Sequence, residues 1–366
     1  MAIEKGLVLT EEGVFKNGSV EFGETILKVE TLDEDNAECA YIIPGLIDIH
    51  THGSMGFDFS EASPEQMREM SLYYAKNGVT SFLATTITAP EDAIAGAMNN
   101  AALFERPEGG ARCLGVNMEG PFLSYEKRGV HRHEYLAAPD IVMFEKMNAL
   151  SNNGIRLVSI APELPGAMEF IRVASKACKV SIAHSAAGYD IAMRAFENGA
   201  THVTHLFNAT SPFSHREPGV VGAAADARAF VEIICDGVHL HPAVIRAIYK
   251  LFPGRVCMIS DSVQSAGLPD GNYELGGLPI IVKDGKSTLE DGTIAGSVIS
   301  LIQGVRFAAG CGLSLGDVVT AATLNNARSV GLEESVGSLT PGKKADVVIL
   351  DRELNVRKVY IDGREA

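Results

Sequence analysis

The 366-residue chain carries 31 lysines and arginines against 46 aspartates and glutamates, a formal net charge of -15, and 46% of its residues are hydrophobic. That length can bury one large core or two unequal ones. The acidic average field repels polyanions and no long basic run offsets it, so nucleic acid and acidic membrane surfaces are excluded as partners, and an anionic small molecule would need a local cation or helix N-terminus.

Taken in chain order, MAIEKGLVLTEEG lacks a basic stretch followed by an apolar core, and no apolar run approaches the roughly 18 residues of a membrane span. The expectation is a soluble, cytoplasmic protein. Six cysteines (Cys39, Cys113, Cys178, Cys235, Cys257, Cys311) lie far apart with no CxxC pair, and read as small core residues in a reducing compartment. From Lys5 to Ile43, short apolar pieces alternate with Gly, Asn, Asp and Glu, a texture of small strands and turns. ADVVILD and VRKVYIDG repeat it near the C-terminus, so the two ends can share one small sheet domain.

Between them, apolar runs alternate with longer helix-like stretches. Strands are predicted at 46–50, 79–86, 112–119, 155–162, 180–184, 202–207, 230–236 and 256–261, with helices such as 64–78 and 188–199 closing at Gly78 and Gly199. Eight such units predict a (β/α)8 TIM barrel, whose chemistry belongs at the C-terminal ends of its strands. The polar residues comply. Strand one ends in His50-Thr51-His52, strand three in Glu119, strand five in His184, strand six in His205, strand seven runs on to His239, and strand eight ends in Asp261.

Side chains alternate along an extended chain, so His50 and His52 point to one side and can reach one ion. Taken singly, an HxH pair, a strand-end histidine, or a carboxylate before Gly120-Pro121 is as readily a satisfied polar group or a cap. Their shared placement at one end of six of eight strands predicts a metal centre instead. His50, His52, Glu119, His184 and His205 offer nitrogen and oxygen donors suited to zinc, iron or another divalent first-row ion. Asp261 is then placed to move the proton of an attacking water, and the ion or His239 to stabilise a carbonyl oxygen, which describes hydrolysis of a carbonyl compound. His133, His202, His215 and His241 read as structural.

The segments PGLIDIHTHG, NMEGPFLS, AHSAAGYD, THLFNATSPFSHREPGVVGAA, CDGVHLHP, ISDSVQSAGLPDG and TIAGS together resemble the N-acetylglucosamine-6-phosphate deacetylase family of the amidohydrolase superfamily. The resemblance runs from about Pro44 to ADVVILD. HxH and ADVVILD are common to many amidohydrolases, whereas THLFNA followed by HREPG, with MEGPF, is far more specific. It implies a barrel over 45–334 with a small β-sandwich made from 1–44 and 335–366, a homodimer, cytosolic amino-sugar catabolism, and one or two divalent ions per subunit, zinc first, with iron, manganese or cobalt as alternatives. By motif, Glu119, His184 and His205 are the principal ligands, with His50 and His52 available for a second ion bridged by Glu119. Asp261 is the general base and then acid, and His239 meets the substrate carbonyl. The sugar phosphate falls to His131, Asn208, Ala209 and Arg216, the arginine reaching the neighbouring subunit, under a TIAGS loop around Ala295 and Gly296.

Thr210 stands where the family motif has methionine, and Ser262 where a small apolar residue is commoner. Other readings are the same chemistry on the N-acetylgalactosamine epimer, a cyclic-amide hydrolase or deaminase, and a catalytically silent sugar-phosphate-binding barrel. Residues Ala161-Pro162-Glu163 after strand four contain no lysine to bridge two ions as in many cyclic-amide hydrolases. A silent barrel would be free to lose ligands, and none is missing.

Overall fold

A computed structural model describes residues 1–32 and 40–366; Cys39 falls outside the described residues. Eight parallel strands follow one another around a barrel in sequence order: Leu46–Thr51, Val79–Thr85, Arg112–Met118, Ile155–Ile160, Lys179–Ile182, His202–Val203, Phe230–Ile234 and Val256–Ile259. Each lies within one of the runs predicted from hydrophobic patterning or starts or ends one residue beyond it. Helices alternate with them. The helix Pro64–Lys76 starts in a capping box between Ser63 and Gln66, and the chain leaves it through Gly78 at φ +80°, a value that favours glycine.

The seam between the last and first strands is stitched by side chains. Asn326 Nδ2 donates to the carbonyls of Ile47 (2.6 Å) and Met258 (2.8 Å), and the Asp261 amide donates to the His50 carbonyl at 2.9 Å. The closing contacts thus hold His50 and Asp261 side by side.

The two ends of the chain form one seven-stranded mixed sheet in which Val347–Leu350 pairs antiparallel with Tyr41–Pro44, placing C-terminal strands beside N-terminal ones. It has its own core, including Val20, Phe22, Ile42, Val347 and Tyr360. Arg112, at the start of the third barrel strand, ties the barrel to this sheet through Asp346 (2.9 Å) and Asp362 (2.8 Å). Gly45 carries the chain from sheet to barrel, where a Cβ would stand 2.0 Å from Thr80 Oγ1. Only glycine passes there.

Sequence patterning did not foresee a third piece. After the eighth strand, Gly271–Leu275, Leu278–Lys283 and Lys286–Thr288 form a small antiparallel sheet. Its two-residue turns, Gly276-Gly277 and Asp284-Gly285, all have positive φ, as tight hairpins require. Leu275 and Ile280 pack with Ile87, Val263 and Ala295, which lays this sheet beside the barrel mouth.

Candidate metal centre

The strand ends deliver their side chains to the floor of a cavity of about 310 Å³. Three of these residues stand on left-handed backbone: His184 at φ +44°, His205 at +25° and Asp261 at +50°. Such angles cost energy for side chains of this size and persist where the surroundings hold them, commonly at functional sites.

Two donor sets meet on the two oxygens of one carboxylate. Glu119 Oε1 lies 3.2 Å from His205 Nε2 and 3.3 Å from His184 Nε2, and those two nitrogens are 3.1 Å apart. Glu119 Oε2 lies 3.1 Å from His52 Nε2 and 3.5 Å from His50 Nε2; the two nitrogens are 3.3 Å apart, and Asp261 Oδ1 is 3.4 Å from each. A tetrahedral ion bound at its usual distance near 2 Å has ligand-to-ligand edges of about 3.3 Å. Both sets match that spacing.

Hydrogen bonds behind the rings decide which nitrogen faces the centre. His184 Nδ1 lies 2.9 Å from the Lys127 carbonyl, which can only accept, so the ring proton is on Nδ1 and Nε2 is bare. His50 Nδ1 likewise donates to Glu232 Oε2 at 2.9 Å, so the neutral ring presents its bare Nε2 to the centre. Four imidazole nitrogens and two carboxylates converging at these distances make a nitrogen and oxygen donor set that fits a divalent ion. Outer partners of this kind are what fix the tautomer of metal-binding histidines.

Without an ion the charges answer one another. Burial disfavours the imidazolium of His50, but Glu232, Glu119 and Asp261 outweigh it and hold its pKa well above the ordinary histidine value. Burial likewise opposes the charge on His52, yet Asp261 and Glu119 raise it to about 9. Burial would lift Asp261, but the neighbouring His50 charge and the His52 bond bring it down to about 2.

His131 is close to Glu119, with Nε2 at 3.6 Å from Oε2, yet differs in kind from the ligand candidates. Its Nδ1 accepts from the Thr88 amide (3.2 Å), so its proton is on Nε2 and it offers the cavity a donor. Burial, aided by His184, lowers its pKa to about 4. His239 shows the other polarity: Nδ1 donates to Asp236 Oδ2 at 2.6 Å, while the second oxygen of Asp236 accepts the Val238 and His239 amides.

The cavity brings together His52, Glu119, His131, His184, His205, Asn208, Ala209, His239, Asp261 and Gly296. His50 is fully buried beneath them. Two expected residues are placed elsewhere. Ala295 is buried against Val263 and Ile280, while its neighbours Ile294 and Gly296 face the cavity. Arg216 is exposed on the 211–217 loop and is not part of this chain's cavity wall. Thr210 is buried and its backbone bridges to Ser185; the Ser262 hydroxyl bonds Thr51 (2.8 Å) and the Gly53 carbonyl (2.9 Å).

Sequence reading passed over Glu232, Asp236, Thr88 and Lys127. Glu232 had a signal, a carboxylate inside the apolar strand run FVEIICD. Lys127 had none, since only the folded loop turns it to the cavity.

The family model described as the amidohydrolase family matches residues 41–366. The chain is 34% identical to an N-acetylgalactosamine-6-phosphate deacetylase of Escherichia coli O157:H7 over 98% of this chain and 97% of the relative. It is 35% identical to an N-acetylglucosamine-6-phosphate deacetylase of Bacillus subtilis (strain 168), covering 95% and 92%. Among solved structures, a mutant N-acetyl-D-glucosamine-6-phosphate deacetylase from Mycobacterium smegmatis in complex with N-acetyl-D-glucosamine-6-phosphate superimposes with a TM-score of 0.93, at 31% identity over 99% and 98% of the two chains.

Proposed function

The chain belongs to the amidohydrolase family, and from that premise we propose that it hydrolyses the acetamide of N-acetyl-D-glucosamine 6-phosphate to D-glucosamine 6-phosphate and acetate in amino-sugar catabolism. The observation that carries this reading is the convergence of two donor sets on Glu119, at the floor of a cavity large enough for a small ligand.

Glu119, His184 and His205 would hold one divalent ion, and His50, His52, Asp261 and Glu119 would suit a second; zinc is the first choice of metal, with iron, manganese or cobalt as alternatives. Such an ion polarises a carbonyl oxygen and eases removal of a proton from water. Asp261, ionised at neutral pH, accepts the proton of the attacking water and returns it to the amine as the tetrahedral intermediate collapses. His239, its Nδ1 tied to Asp236, is held in one orientation towards the carbonyl end of the substrate. His131 donates from Nε2 to the sugar.

Asn208 and Ala209, with Lys127 on the cavity wall, bind the phosphate, joined by Arg216 from the neighbouring subunit of a homodimer. The strap through Ala295 and Gly296 closes the pocket, with Gly296 in contact and Ala295 supporting from behind. Residues 1–44 and 335–366 are the sheet domain and 45–334 the barrel, and the protein works in the cytoplasm.

One specific observation favours a second substrate. The Escherichia coli relative, as similar as the gluco-named ones, is named for the galacto epimer, which differs at a single hydroxyl. Acetate release from both sugar phosphates, on protein of counted metal content, separates the two. A gluco preference of at least about tenfold in kcat/KM, or about 1.4 kcal/mol, supports the proposal. A reversed preference moves the substrate to the epimer, and no turnover of either with metal bound overturns the reading.

A further inference from the structure

Below the ligand atoms the barrel encloses a carboxylate that the proposed reaction does not use. Glu232, on the strand Phe230–Ile234, is fully buried. Its Oε2 lies 2.9 Å from His50 Nδ1 and 3.2 Å from the His205 backbone nitrogen. A backbone N–H can only donate, and the unshared electrons of a carboxylate oxygen suffice for both bonds. One oxygen therefore orients a ring of one donor set and fixes the backbone of a residue in the other.

That second contact bears on a strained point, since His205 is held at φ +25°. The first decides the tautomer of the neutral ring: with its proton on Nδ1, His50 turns a bare Nε2 towards Glu119 and Asp261. Glu232 Oε1 has no hydrogen-bond partner among the described residues and faces His202 Nδ1 at 3.8 Å, so this half of the carboxylate points away from the centre. A buried carboxylate is costly unless it answers specific donors, and here those donors are the two ligand-bearing residues.

We infer that Glu232 is a positioning residue that sets the affinity of the His50–His52–Asp261 ion site. The inference rests on the reading of these two sets as ion sites. Glu232 acts through the position of its acceptor oxygen, not through its charge alone.

The test is a zinc titration of the full chain, stripped by a chelator, in competition with a chromophoric chelator and with metal counted. Glu232→Gln keeps an oxygen that can accept both bonds and is expected to bind two equivalents within about threefold of wild type. Glu232→Asp keeps the charge but withdraws it by one methylene; it is expected to weaken one equivalent by roughly 10–100-fold, the usual cost of losing an outer partner, while the other stays within about threefold. Unchanged binding in the Asp variant, or an equal loss in the Gln variant, overturns the inference.

The double variant His50→Asn with His52→Asn separates the two levels. If it still binds both equivalents, the assignment of His50 and His52 as ligands has failed, independently of Glu232. A second measurement needs no variant at Glu232: 15N-edited NMR of the metal-loaded wild-type chain should find the His50 proton on Nδ1, and a proton on Nε2 overturns the inference.

Discussion

His184 and His205 hold their Nε2 atoms 3.1 Å apart, each on left-handed backbone. The Lys127 carbonyl keeps the His184 proton on the far side of its ring, so that nitrogen lone pair is aimed into the centre. Removing the ring in His184→Ala should cost the ion of this set. Because a bound ion contributes several kcal/mol to such a reaction, kcat/KM should fall by at least about a thousandfold. Metal counting beside steady-state kinetics checks it; full activity with one fewer ligand would remove this set from catalysis.

Asp261→Asn keeps the size of the side chain but not its basicity. The expected result is a fall in kcat of about 10²–10⁴ with KM within a few-fold. Because Asp261 Oδ1 also lies 3.4 Å from His50 and His52, the variant should weaken the ion on that side and spare the one held by Glu119, His184 and His205. A variant that turns over at wild-type speed contradicts the proton-transfer role.

Lys127 is a cation in the wall of this chain's own cavity, with Nζ 3.6 Å from Glu126. Lys127→Ala should raise KM for the sugar phosphate about tenfold, the loss expected for one charged hydrogen bond, and leave kcat nearly unchanged. Arg216→Ala should act similarly only where a dimer forms. Kinetics at protein concentrations above and below subunit dissociation distinguish the two contributions.

The stripped chain should lose stability as pH rises. His52 has a folded pKa raised to about 9, so its contribution is complete below the unfolded value of about 6.5 and disappears as pH climbs through about 9. Asp261 is depressed to about 2, so its contribution is present above its unfolded value of about 3.9 and disappears only as pH falls through about 2. The His52 and Asp261 contributions to the chelator-treated protein are therefore both complete between about pH 4 and 6.5, and its melting temperature should drop by several degrees from pH 6.5 towards pH 9. Zinc must displace the ring protons, so its affinity should rise over the same interval and binding should release protons. Melting curves with and without metal, and proton release measured in weak buffer, check both signs.

Gly296 stands at φ +58° on the strap that pairs with Asp261 to Val263, and a Cβ there would lie 2.5 Å from Val263 Cγ1 and 3.0 Å from the Asp261 carbonyl. Gly296→Ala should therefore displace Asp261, lowering kcat by about tenfold or more and costing on the order of 1–3 kcal/mol of stability. Unchanged kinetics would mean that the strap moves independently of Asp261.

The amino-acid sequence by itself determined the eight strands, because alternating apolar runs bounded by glycine are local signals, and it marked which ends of those strands carry imidazoles and carboxylates. The HxH spacing likewise announced that His50 and His52 share a side. The small sheet over 271–288 was also written locally, in the Gly-Gly and Asp-Gly turns, but lay outside the repeating β-α pattern. Tertiary structure alone decided the rest. Glu119 meets His205 from 86 residues away, Glu232 meets His50 from 182 residues away, and Ala295 turns inward while Gly296 turns to the cavity. Those relations depend on barrel closure, which brings the first and eighth strands together through Asn326 and the Asp261 amide. No local propensity encodes a contact of that range, so the tautomers and charges of the site belong to the folded chain.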